Sequence, residues 1–290
     1  MDKKGFLYVI GSASIFGAMP LFTRLLYASG FDTVSCGFYR TALMLIFILI
    51  YNFFVTKCDM RLTKNDVFVH FILGICFAGT SIFLFGSYNC IKSGVATSIH
   101  FIFPAVTFVI SSFLNKKIPN VVDIVCIFIT MFAIFIMMDF SNMDNITGVV
   151  MAALSAFTFS GYGVVLERIK IDDKAPIKML FYVNFFCAII LYVYAVLFGD
   201  GIYYQGIDTR LMIFLLTYSF FLTIGGALLF QQAVLCIGAT YTSMISTAEI
   251  VISTVLGFIF LHEALSVRQI VAIVLIIISA LLLISSKIKK

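Results

Sequence analysis

Ten apolar stretches, each about 20 residues long, fill almost the whole of this 290-residue chain. A helix needs about 20 mostly apolar residues to cross the hydrocarbon core of a bilayer, which is about 30 Å thick. With only 11% charged residues, the chain has too little polar surface for a soluble domain, which carries about 25%. The predicted spans are 5–27, 34–56, 66–90, 95–114, 121–139, 146–168, 175–198, 210–236, 239–261 and 267–286. The sequence therefore predicts an all-α membrane protein of ten transmembrane helices.

Several other classes of protein receive no support from the sequence. The short alternating segments of a membrane barrel are absent, and the seven scattered cysteines form no C-x-x-C pair that would indicate a disulfide framework or a zinc site. The net charge of +5 comes from loop residues rather than from one basic face, so it does not indicate nucleic-acid binding. The chain has no G-x-x-x-x-G-K-[ST] loop, and we expect neither ATP drive nor a cofactor.

The basic residues are distributed unevenly between the two sides of the predicted bundle. If the N-terminus is cytoplasmic, 14 of the 19 lysine and arginine residues lie on the cytoplasmic side and four on the other. Cytoplasmic loops of membrane proteins are enriched in these two residues. We therefore predict a multi-pass protein of the cell membrane, the inner membrane of a bacterium, with both termini cytoplasmic.

The second half of the chain resembles the first when the two are aligned. At an offset of 143, Phe16 aligns with Phe159, and at an offset of about 146 His100 aligns with Ser246. Five predicted helices map in order onto five, and because five is odd the second set starts on the opposite side of the membrane. The sequence thus predicts a 5+5 inverted repeat, an arrangement common in secondary transporters. The two repeats are residues 1–140 and 141–290.

Short segments in both halves carry small residues at a helix start, a step in mid-helix and a turn before the last helix. They are Phe16-Gly17, Phe38–Ala42, Tyr88–Pro104 and Lys116-Lys117 in the first half, and Gly238-Ala239, Thr247–Val251 and Leu261–Glu263 in the second. This pattern resembles the EamA-type family of the drug/metabolite transporter superfamily over nearly the whole chain. Ile250 departs from it by replacing a proline, which leaves open whether the ninth helix kinks, and Lys117 departs by replacing a glutamate.

The resemblance implies a central cavity lined by helices 1, 3, 4, 6, 8 and 9, and the movement of small metabolites, often the export of amino acids or amines. We interpret the chain as a secondary active exporter of such compounds, with proton coupling as one possibility. The alternatives are a facilitative uniporter or importer and, less favoured, an intramembrane enzyme, since H-E-x-x-H, G-x-S-x-G and paired intramembrane aspartates are absent. The expected partners are a small-molecule substrate, the lipid bilayer and protons, with the chain as a monomer or homodimer.

Glu249 is the intramembrane residue with the clearest functional interpretation. A charge at the bilayer centre costs about 2.5–3.5 kcal/mol on insertion scales, so its presence needs a reason. Glu249 lies near the middle of the predicted ninth helix and, in a continuous helix, shares a face with Thr242 and Ser246. We expect this face to line a cavity or to contact another helix. Glu249 is then either a proton- or cation-coupling site or a packing group bonded to nearby hydroxyls.

The other candidate site residues lie on helices that the resemblance assigns to the cavity. His100 is interpreted as a group that hydrogen-bonds the substrate or shares a proton with Glu249, or else as a structural histidine. Side chains near Pro20 in the first helix, and their counterparts in the sixth, can hold an ammonium group by cation–π contact. The remaining candidates for substrate binding are Phe16, Met19, Tyr88, Tyr162 and Gln231.

Arg40 is the one basic residue predicted to lie well inside a helix. It is expected to pair with Asp32 or to extend toward the membrane surface, in a structural role.

Overall fold

We describe the chain from a computed structural model, which covers residues 3–91, 93–116, 120–137, 145–169, 175–261 and 265–288. The secondary structure of these ranges is helical and contains no β-strand. They include nine helices that are long and apolar enough to cross a membrane, together with the shorter apolar helix Val121–Met137. The prediction of an all-α membrane protein is confirmed.

The helices are numbered α1–α10 in chain order. Those without an internal break are α1 (Lys3–Ala28), α3 (Lys64–Tyr88), α5 (Val121–Met137), α6 (Ile146–Arg168), α7 (Ala175–Phe198) and α10 (Val267–Ile288). Those that break or change helix type are α2 (Thr33–Tyr51, then π-helical Asn52–Thr56), α4 (Ser93–His100 and Phe103–Asn115), α8 (Thr209–Phe220, π-helical Phe221–Leu228, Leu229–Ile237) and α9 (Ala239–Ser246 and Ala248–Leu261). All outer limits fall within two residues of the predicted spans.

The surface of the bundle is apolar, and its interior holds polar side chains. Phe53, Phe113 and Phe198 are 74%, 81% and 76% exposed, whereas Ser12 and Gln231 are fully buried. Lipid is the solvent that suits such an exterior, because apolar side chains lose nothing by facing it. Polar groups in hydrocarbon need partners inside the protein, which explains why hydroxyls and amides point toward the helix contacts.

The helix contacts of one half are repeated by the other. α3 packs against α6 and α7, and its counterpart α8 packs against α1 and α2. α1 packs against α9, and in the same way α6 packs against α4. In addition, three helices contact their own counterparts: α2 contacts α7, α4 contacts α9, and α5 contacts α10. Exchanging the halves leaves these principal contacts unchanged, as a two-fold axis requires. Because each half has five helices, the axis relates halves of opposite orientation, and the predicted 5+5 inverted repeat is confirmed.

α4 and α9 break at equivalent places. The interruption lies at Phe101-Ile102 in α4 and at Thr247 in α9, positions that the offset of 146 aligns. In α4, Pro104 stands at the start of the second segment, where a missing N–H is tolerated. In α9 the equivalent Ile250 has an N–H, which bonds to the Thr247 carbonyl at 3.0 Å. The ninth helix therefore breaks without a proline, which answers the question that its sequence left open.

A single residue, Gly238, joins α8 to α9. Its φ of +84° belongs to the region that glycine enters without steric cost. A methyl group there would lie 2.8 Å from Glu167 Oε1, so both the backbone angle and the space favour glycine.

Asp32 has a different role from the predicted one. Its carboxylate accepts hydrogen bonds from the backbone N–H groups of Val34 and Ser35, at 2.8 and 2.9 Å, and caps the start of α2. Arg40 is only 7% exposed, and the structure forms no ion pair between it and Asp32. Neither expected arrangement of Arg40, pairing with Asp32 or extending to the surface, is present. Glu263, which ends the segment that the family pattern places before the last helix, lies outside the described residues.

Candidate functional site

Glu249 lies in the first turn of the second segment of α9, two residues after the break. The start of a helix carries unpaired backbone N–H groups and the positive end of the helix dipole. α1 approaches closely here, because a methyl group at Gly17 would lie 2.9 Å from the Glu249 backbone oxygen. The side chain is partly buried, and no described residue bonds to its carboxyl group. Within the part of the chain described, this acid has no hydrogen-bond or ion-pair partner.

Thr242 and Ser246 are buried on the first segment of α9. Ser246 Oγ donates to the Ser243 carbonyl at 2.9 Å, and Thr242 Oγ1 has no partner among the described residues. Neither hydroxyl bonds to Glu249. The break at Thr247 lies between these residues and Glu249, so the predicted face is not formed by one continuous helix.

Tyr88 is a polar side chain near Glu249. The phenol lies within electrostatic range of the Glu249 carboxyl group. Its oxygen is 3.0 Å from Thr97 Oγ1, and the two hydroxyls form a hydrogen bond. Tyr88 ends α3 and Thr97 lies on the first segment of α4, so this bond fixes both helices beside the broken α9.

His100 ends the first segment of α4 and is buried. Its Nδ1 lies 2.9 Å from Ser155 Oγ in α6. Ser155 already donates its only hydroxyl proton to the Ala152 carbonyl at 2.6 Å, so Nδ1–H of His100 is the donor in the pair. The structure thus gives His100 a bond to α6 rather than a contact with Glu249. The aromatic rings around the imidazole belong to Phe101, Phe103 and Phe159.

Gln231 and Tyr162 join α8 to α6. Gln231 Nε2 donates to Tyr162 Oη at 2.9 Å, and both side chains are buried. The Tyr162 ring lies 5.4 Å from the Phe77 ring and 6.2 Å from the Phe230 ring, between centroids. Aromatic faces carry partial negative charge and attract cations. The predicted residues Tyr162 and Gln231 are therefore together, beside a group of rings that we call the aromatic cluster: Phe16, Phe77, Tyr162 and Phe230.

Phe16 and Met19 face this region from α1. A methyl group at Gly226 would lie 2.7 Å from Phe16 Cε1, and Ser12 Oγ donates to the Gly226 carbonyl at 2.9 Å. Gly226 belongs to the π-helical part of α8, a geometry that recurs at functional sites. Met19 Sδ accepts a hydrogen bond from Arg40 Nη1 at 3.7 Å.

Arg40 is the residue near this site that the sequence analysis did not assign to it. Its guanidinium carbon lies 5.2 Å from the centroid of the Phe77 ring. Phe77 in turn contacts Tyr162, so Arg40 touches both α1 and the aromatic cluster. The signal that pointed to Arg40 was its position inside an apolar helix, where a basic residue needs a reason.

The sequence model of the EamA-like transporter family matches residues 3–139 and 146–285. The chain belongs to the EamA-like transporter family. The two matched segments are the two five-helix halves, and this membership shows a membrane transporter of the drug/metabolite type. No curated protein matches the sequence.

A solved crystal structure shares the fold of this EamA-like protein. Its sequence is 16% identical, the superposition covers 100% of both chains, and the TM-score is 0.77. At that identity the likeness concerns the fold alone. Within the described ranges of this EamA-like chain, no three His, Cys, Asp or Glu side chains come together as a metal site would require.

Proposed function

We propose that this protein is a proton-coupled exporter of small metabolites, of the amino acid or amine class, in the cell membrane. The observation that carries the proposal is the Glu249 carboxyl group, which has no partner among the described residues and lies at the start of a half-helix. Discontinuous helices form the substrate and ion sites of many secondary transporters. Such a carboxyl group is available to bind either a proton or a cationic substrate.

Proton coupling follows from the ability of the Glu249 carboxyl group to be either neutral or ionised. A neutral carboxyl group is tolerated away from water, whereas a carboxylate needs water, donors or a cation. The N-terminal end of the α9 half-helix favours the ionised form, and a bound ammonium group favours it further. Proton and cationic substrate then compete for Glu249, and alternating exposure of the site converts this competition into antiport.

The inverted halves supply the two states that alternating access needs. Residues 1–140 and 141–290 form the moving units, and α4 and α9 contact each other across the axis between them. Rocking of one half against the other exposes a site near this axis to one side and then the other. With both termini cytoplasmic, uptake of a proton and release of substrate outside constitute export.

The aromatic cluster supports recognition of an ammonium group. Phe16, Tyr162 and Phe230 present ring faces in one region, and a cation over such a face gains about 0.5–2 kcal/mol. Gln231 and Tyr88 add hydrogen-bonding groups that orient the bound compound. Beside it, His100 holds α4 against α6 through Ser155, and Thr242, whose hydroxyl group has no partner among the described residues, adds a further group that can bond to the compound.

The test is transport by protein reconstituted in liposomes with an imposed pH gradient, using radiolabelled L-phenylalanine and phenethylamine. Glu249→Gln keeps the size of the side chain and fixes it as neutral. We expect this variant to lose accumulation driven by the pH gradient, while Glu167→Gln, at the end of α6, keeps it. If Glu249→Gln accumulates the compounds at wild-type rates, or if the unmodified protein accumulates neither, the proposal is wrong. A facilitative carrier would instead equilibrate them without responding to the gradient.

A further inference from the structure

Arg40 is a buried cation that has no counter-ion among the described residues. The side chain is 7% exposed, and the described residues provide no ion pair for it. Within the described ranges, one of its N–H groups has an acceptor, the weakly accepting Met19 Sδ at 3.7 Å. A guanidinium group has five N–H donors and stays charged at any pH that a protein tolerates. Most of the donors of this group therefore have no acceptor in the part of the chain that the structure describes.

The titratable groups around Arg40 do not supply the missing charge. Cys36, Cys187 and Tyr218 lie within electrostatic range of it, on α2, α7 and α8. Thiols and phenols are neutral near pH 7. The nearest carboxylate on its own helix end, Asp32, accepts three hydrogen bonds at the start of α2. The described surroundings are thus neutral, and the positive charge is not balanced.

The placement of Arg40 joins it to the candidate site. Its guanidinium group contacts Met19 of α1 and the ring of Phe77 in α3. The Phe77 ring lies 5.4 Å from that of Tyr162, which accepts from Gln231. A compound bound against the aromatic cluster can therefore present a group to Arg40 without leaving the contact with these rings.

We propose that Arg40 binds a carboxylate group of the transported compound, so that the substrate is an amino acid rather than a plain amine. The planar fork of a guanidinium group matches a carboxylate with two parallel hydrogen bonds. The ammonium group of the same compound then lies against the rings of the aromatic cluster, next to Phe77. This inference rests on the proposed transport function and specifies the substrate of the same site.

Ligand binding to the detergent-purified protein tests the inference, because a compound that binds the folded state raises the melting temperature. The probes are amino acids paired with the amines that lack only the carboxylate: L-phenylalanine with phenethylamine, L-leucine with isoamylamine, and L-lysine with cadaverine. 3-Phenylpropionate adds a carboxylate without an ammonium group. Sodium phosphate alone reports binding of an inorganic anion.

We expect at least one amino acid to raise the melting temperature more than its paired amine. In Arg40→Met that amino acid should bind about 30-fold more weakly or worse, as when one member of a buried charge pair is deleted. Arg40→Lys keeps the positive charge but lacks the planar guanidinium group, so it should bind the amino acid with intermediate affinity. This variant also provides the test if Arg40→Met does not fold. Arg210→Met, at the exposed start of α8, is the matched control and should bind as the unmodified protein does.

The inference is overturned if every amine binds as well as its amino acid, if no amino acid binds, or if the Arg40 variants bind amino acids unchanged. It is also overturned if phosphate is the only probe whose binding depends on Arg40, since the site then holds an inorganic anion. Binding in detergent needs no pH gradient. Failure here therefore leaves proton-coupled transport standing, and failure of the Glu249→Gln experiment leaves the carboxylate site standing.

Discussion

Gln231 Nε2 donates to Tyr162 Oη at 2.9 Å, and this one bond joins α8 to α6 inside the aromatic cluster. Gln231 Oε1 is buried and has no partner among the described residues. The Gln231 amide thus forms a hydrogen bond through its nitrogen and none through its oxygen. The bond to Tyr162 alone fixes the orientation of the side chain. A buried polar group that loses its last partner costs more than the average hydrogen bond contributes.

Removing the Tyr162 hydroxyl should destabilise the protein measurably. Tyr162→Phe leaves the Gln231 amide without a partner, and we expect a loss of about 1–3 kcal/mol in the free energy of unfolding. Thermal or denaturant unfolding in detergent measures it. Adding Gln231→Leu to Tyr162→Phe should recover much of the loss, because neither polar group then remains. Tyr204→Phe, at an exposed position, is the control and should change little; additive losses in the double variant would contradict the prediction.

The contact between α1 and α9 should be sensitive to one added methyl group. In Gly17→Ala the new Cβ would lie 2.8 Å from Ile252 Cβ and 2.9 Å from the Glu249 backbone oxygen. The helices must then separate, and we expect a loss of about 1–3 kcal/mol together with slower transport. Gly94→Ala is a matched control in a helix, since no atom lies within 4 Å of its added methyl. Equal melting temperatures for the two variants would show that this helix contact is not tight.

His100 should matter for stability more than for proton coupling. His100→Phe fits the surrounding aromatic rings but removes the bond to Ser155, and we expect a loss of about 1 kcal/mol. Because no bond joins His100 to Glu249, the pH dependence of transport should stay that of the unmodified protein. Transport rates at several pH values in liposomes provide the measurement. A shifted or flattened pH profile in His100→Phe would place the imidazole in the proton path.

Labelling of added cysteines tests the orientation. Tyr204→Cys, before α8, should react with a membrane-impermeant maleimide added to right-side-out vesicles, above the signal of the native cysteines. Lys64→Cys, at the start of α3, should react only after the vesicles are opened. The expectation comes from the excess of basic residues on the cytoplasmic side. Reversed labelling of the two positions would invert the orientation, and with it the direction that we propose for transport.

The limits of the helices could be predicted from the sequence because hydropathy is a local property. The span of α6, 146–168, was predicted to the residue. The break at Thr247 was not, because Ile250 gives no local signal and the break is visible only in the hydrogen bonds of the fold. The position of Glu249 near the middle of the ninth helix could be inferred from the sequence. The side chains around it could not, because the inference assumed a continuous helix and the helix breaks at Thr247.

The surroundings of Arg40 could not be predicted for a similar reason. Its contacts with Met19 and Phe77 join three different helices, and their formation depends on the packing of the whole bundle. Local spacing favoured Asp32, which lies two turns away on the same chain segment. The backbone N–H groups at the start of α2 take that carboxylate instead, since a helix start without acceptors is costly.

The one-residue junction at Gly238 has a mechanical consequence. A joint of one residue cannot lengthen, so the last segment of α8 and the first segment of α9 must stay together at Gly238 when either of them moves. A shift of the last segment of α8 along its axis must therefore move the start of α9 as well. The next interruption along the chain is the break at Thr247, two residues before Glu249.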